Sequence, residues 1–281
     1  MARIRVVTDS ASDLPEEYVQ RLNVDVVSLS IRFGDEEFVD RLDLTPDAFW
    51  AKCKSSKTLP ETSAPSAGAF QAAYERAKAE GFDGVIVLTL SSMLSASNQA
   101  AALAAEAVKG EIEVRVVDTL NVSMGQGLIA IEVAELAATG ASLDELVARA
   151  KSVMAKAGVV AAIDTLEHLI KGGRIGGAKA LLGQVLSIKP LVELKGGVVA
   201  EAGRQRTRAK ALTAVANVAK AHAPLRRLAL IHGACTPADV ATLASLIKDI
   251  AVEFPVIVTD IGPVVGTHGG PGIIGLTWIS Q

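Results

Sequence analysis

Short apolar runs alternate along the chain with longer stretches whose apolar positions recur every three or four residues. Ile4 to Thr8, Val85 to Leu90 and Ile112 to Val117 are near-continuous runs of the first kind. Such runs, bounded by polar turns, read as strands covered on both faces, and the 3.6-periodic stretches between them as helices. Val24 to Ile31 is a further β-rich run. Helices are expected from Glu16 with Asp13 as cap, from Thr45-Pro46-Asp47 to about Ser55, and from Ser66 to Glu80. Two more follow over Gly125 to Thr139 and Leu143 to Ala157, the second opened by a Ser142-Leu143-Asp144-Glu145 capping box.

Gly158 is a candidate boundary, because a fresh set of elements follows it. Strands are expected at Val159 to Ile163, Leu228 to His232, Pro255 to Asp260 and Ile273 to Ile279, with a hairpin of Val185 to Leu194 and Gly197 to Ala200. Helices are expected at Leu166 to Lys171, Thr207 to Ala221 and Thr236 to Ile250. Alternating strands and helices give the α/β class with a mostly parallel first sheet flanked by helices. The predicted organisation is two α/β domains, 1–158 and 159–281, with a ligand in the cleft between and within them.

The stretch after Leu90 is the first with candidate chemistry. Ser91-Ser92-Met93-Leu94-Ser95-Ala96-Ser97 places four hydroxyls in seven residues, between a strand and the helix-favouring Asn98 to Lys109. Ligands of open α/β sheets sit at such strand ends, and a helix N-terminus offers free N–H groups to an anion. The alternative is that Ser92 or Ser95 merely caps the helix. Near the other end, Gly262 to Gly272 holds five glycines and His268 in eleven residues. Glycine that dense serves unusual backbone angles or a close approach.

Composition narrows the picture. The chain has 281 residues, half of them hydrophobic, and a formal charge of −3, so nothing points to nucleic acid or an anionic membrane surface. No apolar run reaches the ~18 residues of a membrane span, so stable membrane insertion is not expected. Cys53 and Cys235 match no metal spacing. The N-terminus enters a strand directly without a signal-type apolar region, and a cytoplasmic location is expected.

Several motifs fall short of their chemistry. Gly125-Gln126-Gly127-Leu128-Ile129-Ala130 fits a loose dinucleotide fingerprint but lacks the later acidic residue, so helix packing explains it better. Gly172-Gly173-Arg174-Ile175-Gly176-Gly177-Ala178-Lys179 resembles a phosphate loop broken by Ala178, which leaves Arg174 as a cation among glycines. Asp9, Asp118, Asp164 and Asp260 end strands, where aspartates hold magnesium or, more often, orient turns. Arg204, Arg206, Arg208 and Lys210 form either a solvated face or a docking patch.

Taken in order, Thr8-Asp9-Ser10, Thr62-Ser63-Ala64-Pro65-Ser66, Leu90 to Ser95, Lys171 to Ile175, Lys189-Pro190, Arg206-Thr207-Arg208 and Gly262 to Gly272 resemble the DegV family nearly end to end. These are bacterial fatty-acid-binding proteins, the lipid-carrying B subunits of fatty acid kinase. The resemblance implies a long-chain fatty acid as ligand, no cofactor, and a fatty acid kinase catalytic subunit as partner. It implies that Thr62, Ser95 and His268 hold the carboxylate, with Ser63, Ser91, Ser92, Arg174 and Gly266 supporting the pocket. Arg206 and Arg208 match the family's kinase-docking segment. Two departures bear on the pocket mouth: Ala64 stands where the family usually has glutamine, and Ser95-Ala96-Ser97 where it usually has Ser-Gly-Thr. Neither removes a hydroxyl. The expected function is therefore a non-catalytic carrier. The alternative is an acyl-ester hydrolase with Ser95 as nucleophile and His268 as base, although the G-x-S-x-G turn is missing.

Overall fold

The computed structural model describes residues 2–181 and 188–281. β1 (Ile4–Asp9) leads through a 3-10 turn at Ser10–Ser12 to α1 (Glu16–Leu22) and β2 (Val24–Val27). β3 (Ser30–Phe33), β4 (Glu36–Val39), α2 (Pro46–Ser55) and β5 (Glu61–Ser63) follow. The chain then alternates as α3 (Ala67–Ala79), β6 (Gly84–Thr89), α4 (Ser97–Ala107), β7 (Glu113–Asp118), α5 (Met124–Ala137) and α6 (Leu143–Met154). β8 (Ala157–Ala162), α7 (Glu167–Lys171), β9 (Lys189–Lys195), β10 (Val198–Gln205), α8 (Arg208–Lys220) and β11 (Leu225–Gly233) come next. α9 (Pro237–Ile247), β12 (Ile257–Asp260), α10 (Pro263–Gly269) and β13 (Ile273–Ser280) complete the order.

The first sheet is parallel, in the order β2-β1-β6-β7. Every residue of β1 and β6 is buried, Arg5, Thr8 and Asp9 of β1 included, as in strands covered on both faces. The second sheet, β10-β9-β8-β13-β11-β12, is antiparallel apart from the β11–β12 pair. Between the two sheets lies α5. Its first eleven residues are all buried, the signature of a helix apolar around its whole circumference. One apolar core therefore runs from Ile4, Ile86 and Leu88 through Leu128 and Ile131 to Ala161, Ile231 and Ile279.

The Gly125-x-Gly127 pair serves this packing. A Cβ at Gly127 would lie 2.7 Å from the Ser12 carbonyl oxygen and 2.8 Å from the Met124 sulfur. The glycine lets the helix backbone sit against the turn that follows β1. Capping also follows the sequence. Ser66 accepts from the Ala69 amide, and Ser142 with Glu145 forms the expected reciprocal box.

Four expectations need correction. The run from Val24 to Ile31 is two strands: β2 joins the parallel sheet, whereas β3 turns away into an antiparallel trio, β4-β3-β5. Asp13 does not cap α1. It adopts a left-handed backbone conformation and points inward, and Pro15 occupies the cap position without a side-chain bond. Neither Ser92 nor Ser95 caps α4, whose cap residue is Ala96. The glycine-rich segment, whose glycine density reads as a loop, winds at its centre into α10 with Pro263 at the first turn. The expected strand beginning at Val185 starts outside the described residues, and β9 is seen from Lys189.

Candidate carboxylate site at the mouth of an apolar cavity

The antiparallel trio positions Thr62. β5 pairs with β3 so that Thr62 lies opposite Ile31, whose neighbours Phe33, Phe49, Trp50 and Val264 form a small aromatic core. That core holds β5 against α10. There Thr62 Oγ1 and His268 Nε2 meet at 2.8 Å, although 206 residues separate them in sequence. Which atom donates depends on the imidazole tautomer.

His268 is half-buried at the cavity edge. Gly172 leaves room for its ring: a Cβ there would stand 2.3 Å from His268 Nδ1. The Nδ1 atom is buried without a hydrogen-bond partner. Burial, then the nearby charges of Arg174 and His168, push the imidazole pKa down to about 4. The ring is therefore neutral near pH 7. Beside it, Arg174 donates from Nε to the Leu94 carbonyl at 3.1 Å and from Nη1 to the Gly172 carbonyl at 2.5 Å. These bonds clamp the guanidinium between the serine-rich turn and the glycine turn. A fixed cation beside a neutral imidazole and two hydroxyls is an arrangement that welcomes an anion.

Ser95 is half-buried on the same rim. Its hydroxyl contacts Ser97 Oγ at 3.0 Å and accepts from the Ser97 amide at 3.3 Å. Thr62, Ser95, Arg174 and His268 all line one cavity of ≈ 220 Å³. Its remaining wall is almost entirely apolar and includes Leu90, Leu94, Val192, Leu194 and Ile231. β8 and the residue just past it supply Val159, Ala161 and Ile163, every second residue, while the intervening Val160 and Ala162 face a separate core with Leu212 and Leu230. The run from Val159 to Ile163 is apolar throughout, so the sequence does not record this split and the strand geometry alone makes it. Ser123 also lines the cavity and was not anticipated. It donates to Asp13 Oδ2 at 2.5 Å from a backbone at φ 53°, ψ −147°, a conformation rarely taken by a residue with a side chain.

The other expected residues lie around the cavity and do not line it. Ser91 donates to the Gly197 carbonyl and so ties the serine turn to the β9–β10 hairpin. Ser92 and Ser63 are exposed, and Gly266 packs on Phe49 and Trp50. Arg206 is exposed, whereas Arg208 is largely enclosed beside Asp164, Asp239 and Cys235.

The strand-end aspartates orient turns. Asp9 accepts from the Leu90 and Ala11 amides and from Gln126, and Asp118 from the Ser92 and Leu120 amides. Asp164 pairs with Lys189, and Asp260 lies 3.2 Å from His232. For the hydrolase alternative, the decisive contact is not made. Ser95 bonds Ser97, His268 Nε2 engages Thr62, and His268 Nδ1 lacks the orienting carboxylate of a triad.

The family profile described as "Uncharacterised protein, DegV family" matches residues 3–281. The chain belongs to the DegV family. A DegV domain-containing protein of Deinococcus radiodurans is 36% identical over 281 residues, with 97% of each chain covered. Among solved structures, a DegV family protein from Thermus thermophilus, described for its fatty acid binding, superposes with a TM-score of 0.91 at 35% identity. That match covers 99% of this chain and 100% of the other. A stearic acid-binding protein from Eubacterium ventriosum gives a TM-score of 0.88 at 26% identity, covering 100% and 98% of the two chains. Solved DegV structures thus bind fatty acids. Among the described residues, no helix of this DegV chain is long and apolar enough to cross a membrane.

Proposed function

We propose that this chain is a non-catalytic cytoplasmic carrier of a long-chain fatty acid. It grips the carboxylate at the cavity mouth and presents it to the catalytic subunit of a fatty acid kinase. The observation that carries the reading is the Thr62–His268 contact on the rim of an apolar cavity that Ser95 and Arg174 also line. A carboxylate leaving water needs hydrogen-bond donors and a compensating cation, and this rim supplies both. The tail supplies the affinity. At about 0.8 kcal/mol per buried methylene, a sixteen-carbon chain contributes on the order of 10 kcal/mol before ordering costs. Arg206 is the exposed member of the segment proposed for kinase docking, and Arg208 braces it from within the fold. The ligand lies between the halves 1–158 and 159–281, with Ser95 and Thr62 from the first and His268 and Arg174 from the second.

Denaturing extraction of the purified protein, followed by mass spectrometry, tests this. A co-purifying saturated or unsaturated long-chain acid is expected. Protein that is lipid-free and also fails to bind added hexadecanoic acid would overturn the assignment.

A further inference from the structure

A second cavity of ≈ 340 Å³ abuts the first, and the two share only Val159 and Leu194 as lining residues. β8 sets their relation. Ile163 and Ala161 line the first cavity alone, Val159 lines both, and Ala157 lines the second alone. These are alternate residues along β8 and the residue just past it, so an apolar track borders both cavities, with Gly158 also lining the second.

The direction of the track is fixed by the neighbouring strand. Ile274 pairs with Ala162, which sets Ile273 and the adjoining end of α10, with His268, beside Ile163. The proposed headgroup site therefore lies at the Ile163 end. Along the strand the second cavity begins at Val159, about 13 Å from Ile163 at strand rise, and continues to Ala157.

The antiparallel register that pairs Val160 with Glu193 places Val159 beside Leu194. These two, the residues that border both cavities, stand at the junction. Behind it, Met154, Ala155 and Leu120 give apolar surface, but Lys151 and Asn121 give polar surface, and Asn121 Oδ1 is buried without a partner.

From this layout we propose that Val159 and Leu194 form a partition that grades acyl chains by length, and that the cavity behind it receives the methyl end of chains too long for the first. The inference rests on the fatty-acid reading above and adds a tail subsite to it. In the first cavity each added methylene meets apolar wall and raises affinity about fourfold. Past the partition it meets a half-polar chamber, and the gain per methylene drops.

The test is calorimetric binding of saturated straight-chain acids from dodecanoic to eicosanoic, to wild type and three variants. Wild type is expected to show affinity rising with chain length and then a break to a shallower slope. Leu194→Ala or Val159→Ala opens the partition and shifts the break towards longer acids. Met154→Trp fills the second cavity, and its loss of affinity grows with chain length. An unbroken slope in wild type, or a break that none of the three variants moves, overturns the partition while leaving fatty-acid binding intact. Failure of wild type to bind any of the acids overturns the fatty-acid reading itself.

Discussion

At the cavity mouth, single atoms decide what the site can hold. Removing the Ser95 hydroxyl deprives a buried carboxylate of one partner, which costs about 1–3 kcal/mol. Ser95→Ala is expected to raise the dissociation constant for hexadecanoic acid by the corresponding factor in a calorimetric titration. Unchanged affinity would mean that Ser95 serves only Ser97. His268 gives a second readout. Its pKa is held down to about 4 by burial and by Arg174 and His168. A carboxylate brought beside it favours the imidazolium form, so binding raises that pKa. An NMR titration should find the ring neutral down to about pH 4 without ligand and protonating at higher pH with it. A bound-state value at or below the free one would place the carboxylate elsewhere. Little of this was legible from periodicity. Thr62 and His268 meet through a small antiparallel sheet whose strands are only three and four residues long. Segments that short carry no distinct apolar period, and the resemblance alone singled the pair out. Asp13 was misread for a physical reason. Asp followed three residues later by Glu is a capping pattern, but Ser123 and the Gly262 amide compete for the same carboxylate and bury it.

At the scale of elements, α5 is the piece on which both sheets lean. Its Gly125-x-Gly127 pair was read as serving helix packing, and Gly127 does pack closely on the Ser12 carbonyl. Gly127→Ala inserts a methyl group where 2.7 Å separates the new carbon from that backbone oxygen. Ala favours a helix more than Gly by about 1 kcal/mol. The clash is with backbone that cannot swing away, and overpacking of this kind costs about 1–3 kcal/mol. The expected net result is destabilisation by about 1 kcal/mol, seen as a lower midpoint in urea unfolding. A variant as stable as wild type would show that α5 can slide to make room. The clearest elements were β1 and β6, read from their apolar runs, and α6, read from its capping box. The change of sheet between β2 and β3 was hidden, because a continuous β-rich sequence does not record which edge each half joins.

Across the whole molecule, the two halves are joined by charge as well as by the shared core. Glu132 of α5 is 1% exposed and faces three arginines. Arg149 comes from α6 on its own side. Arg226 and Arg227 come from β11 in the other half, reaching it from Nε at 2.9 Å and 2.5 Å. Arg227 also meets Glu135 at 2.5 Å. Burial alone would raise the Glu132 pKa. Hydrogen bonds from Arg226, Arg227 and Arg149 outweigh it and hold the carboxyl below its ordinary value of 4.5. The sign of the pH effect follows. A carboxylate with a depressed folded pKa contributes stability that is full above the unfolded value and is lost as pH falls through the folded one. Glu132→Gln strips the buried anion from one buried and two half-buried guanidinium groups, and breaking such a network by removing one partner costs about 3 kcal/mol. Urea unfolding at pH 7 should show that loss. The gap between variant and wild type should narrow as pH falls below about 4.5, where the unfolded chain takes up the proton, and close once the folded carboxyl protonates as well. A gap that stayed constant across that range would assign the loss to packing and leave the ion network without a part in holding the halves together.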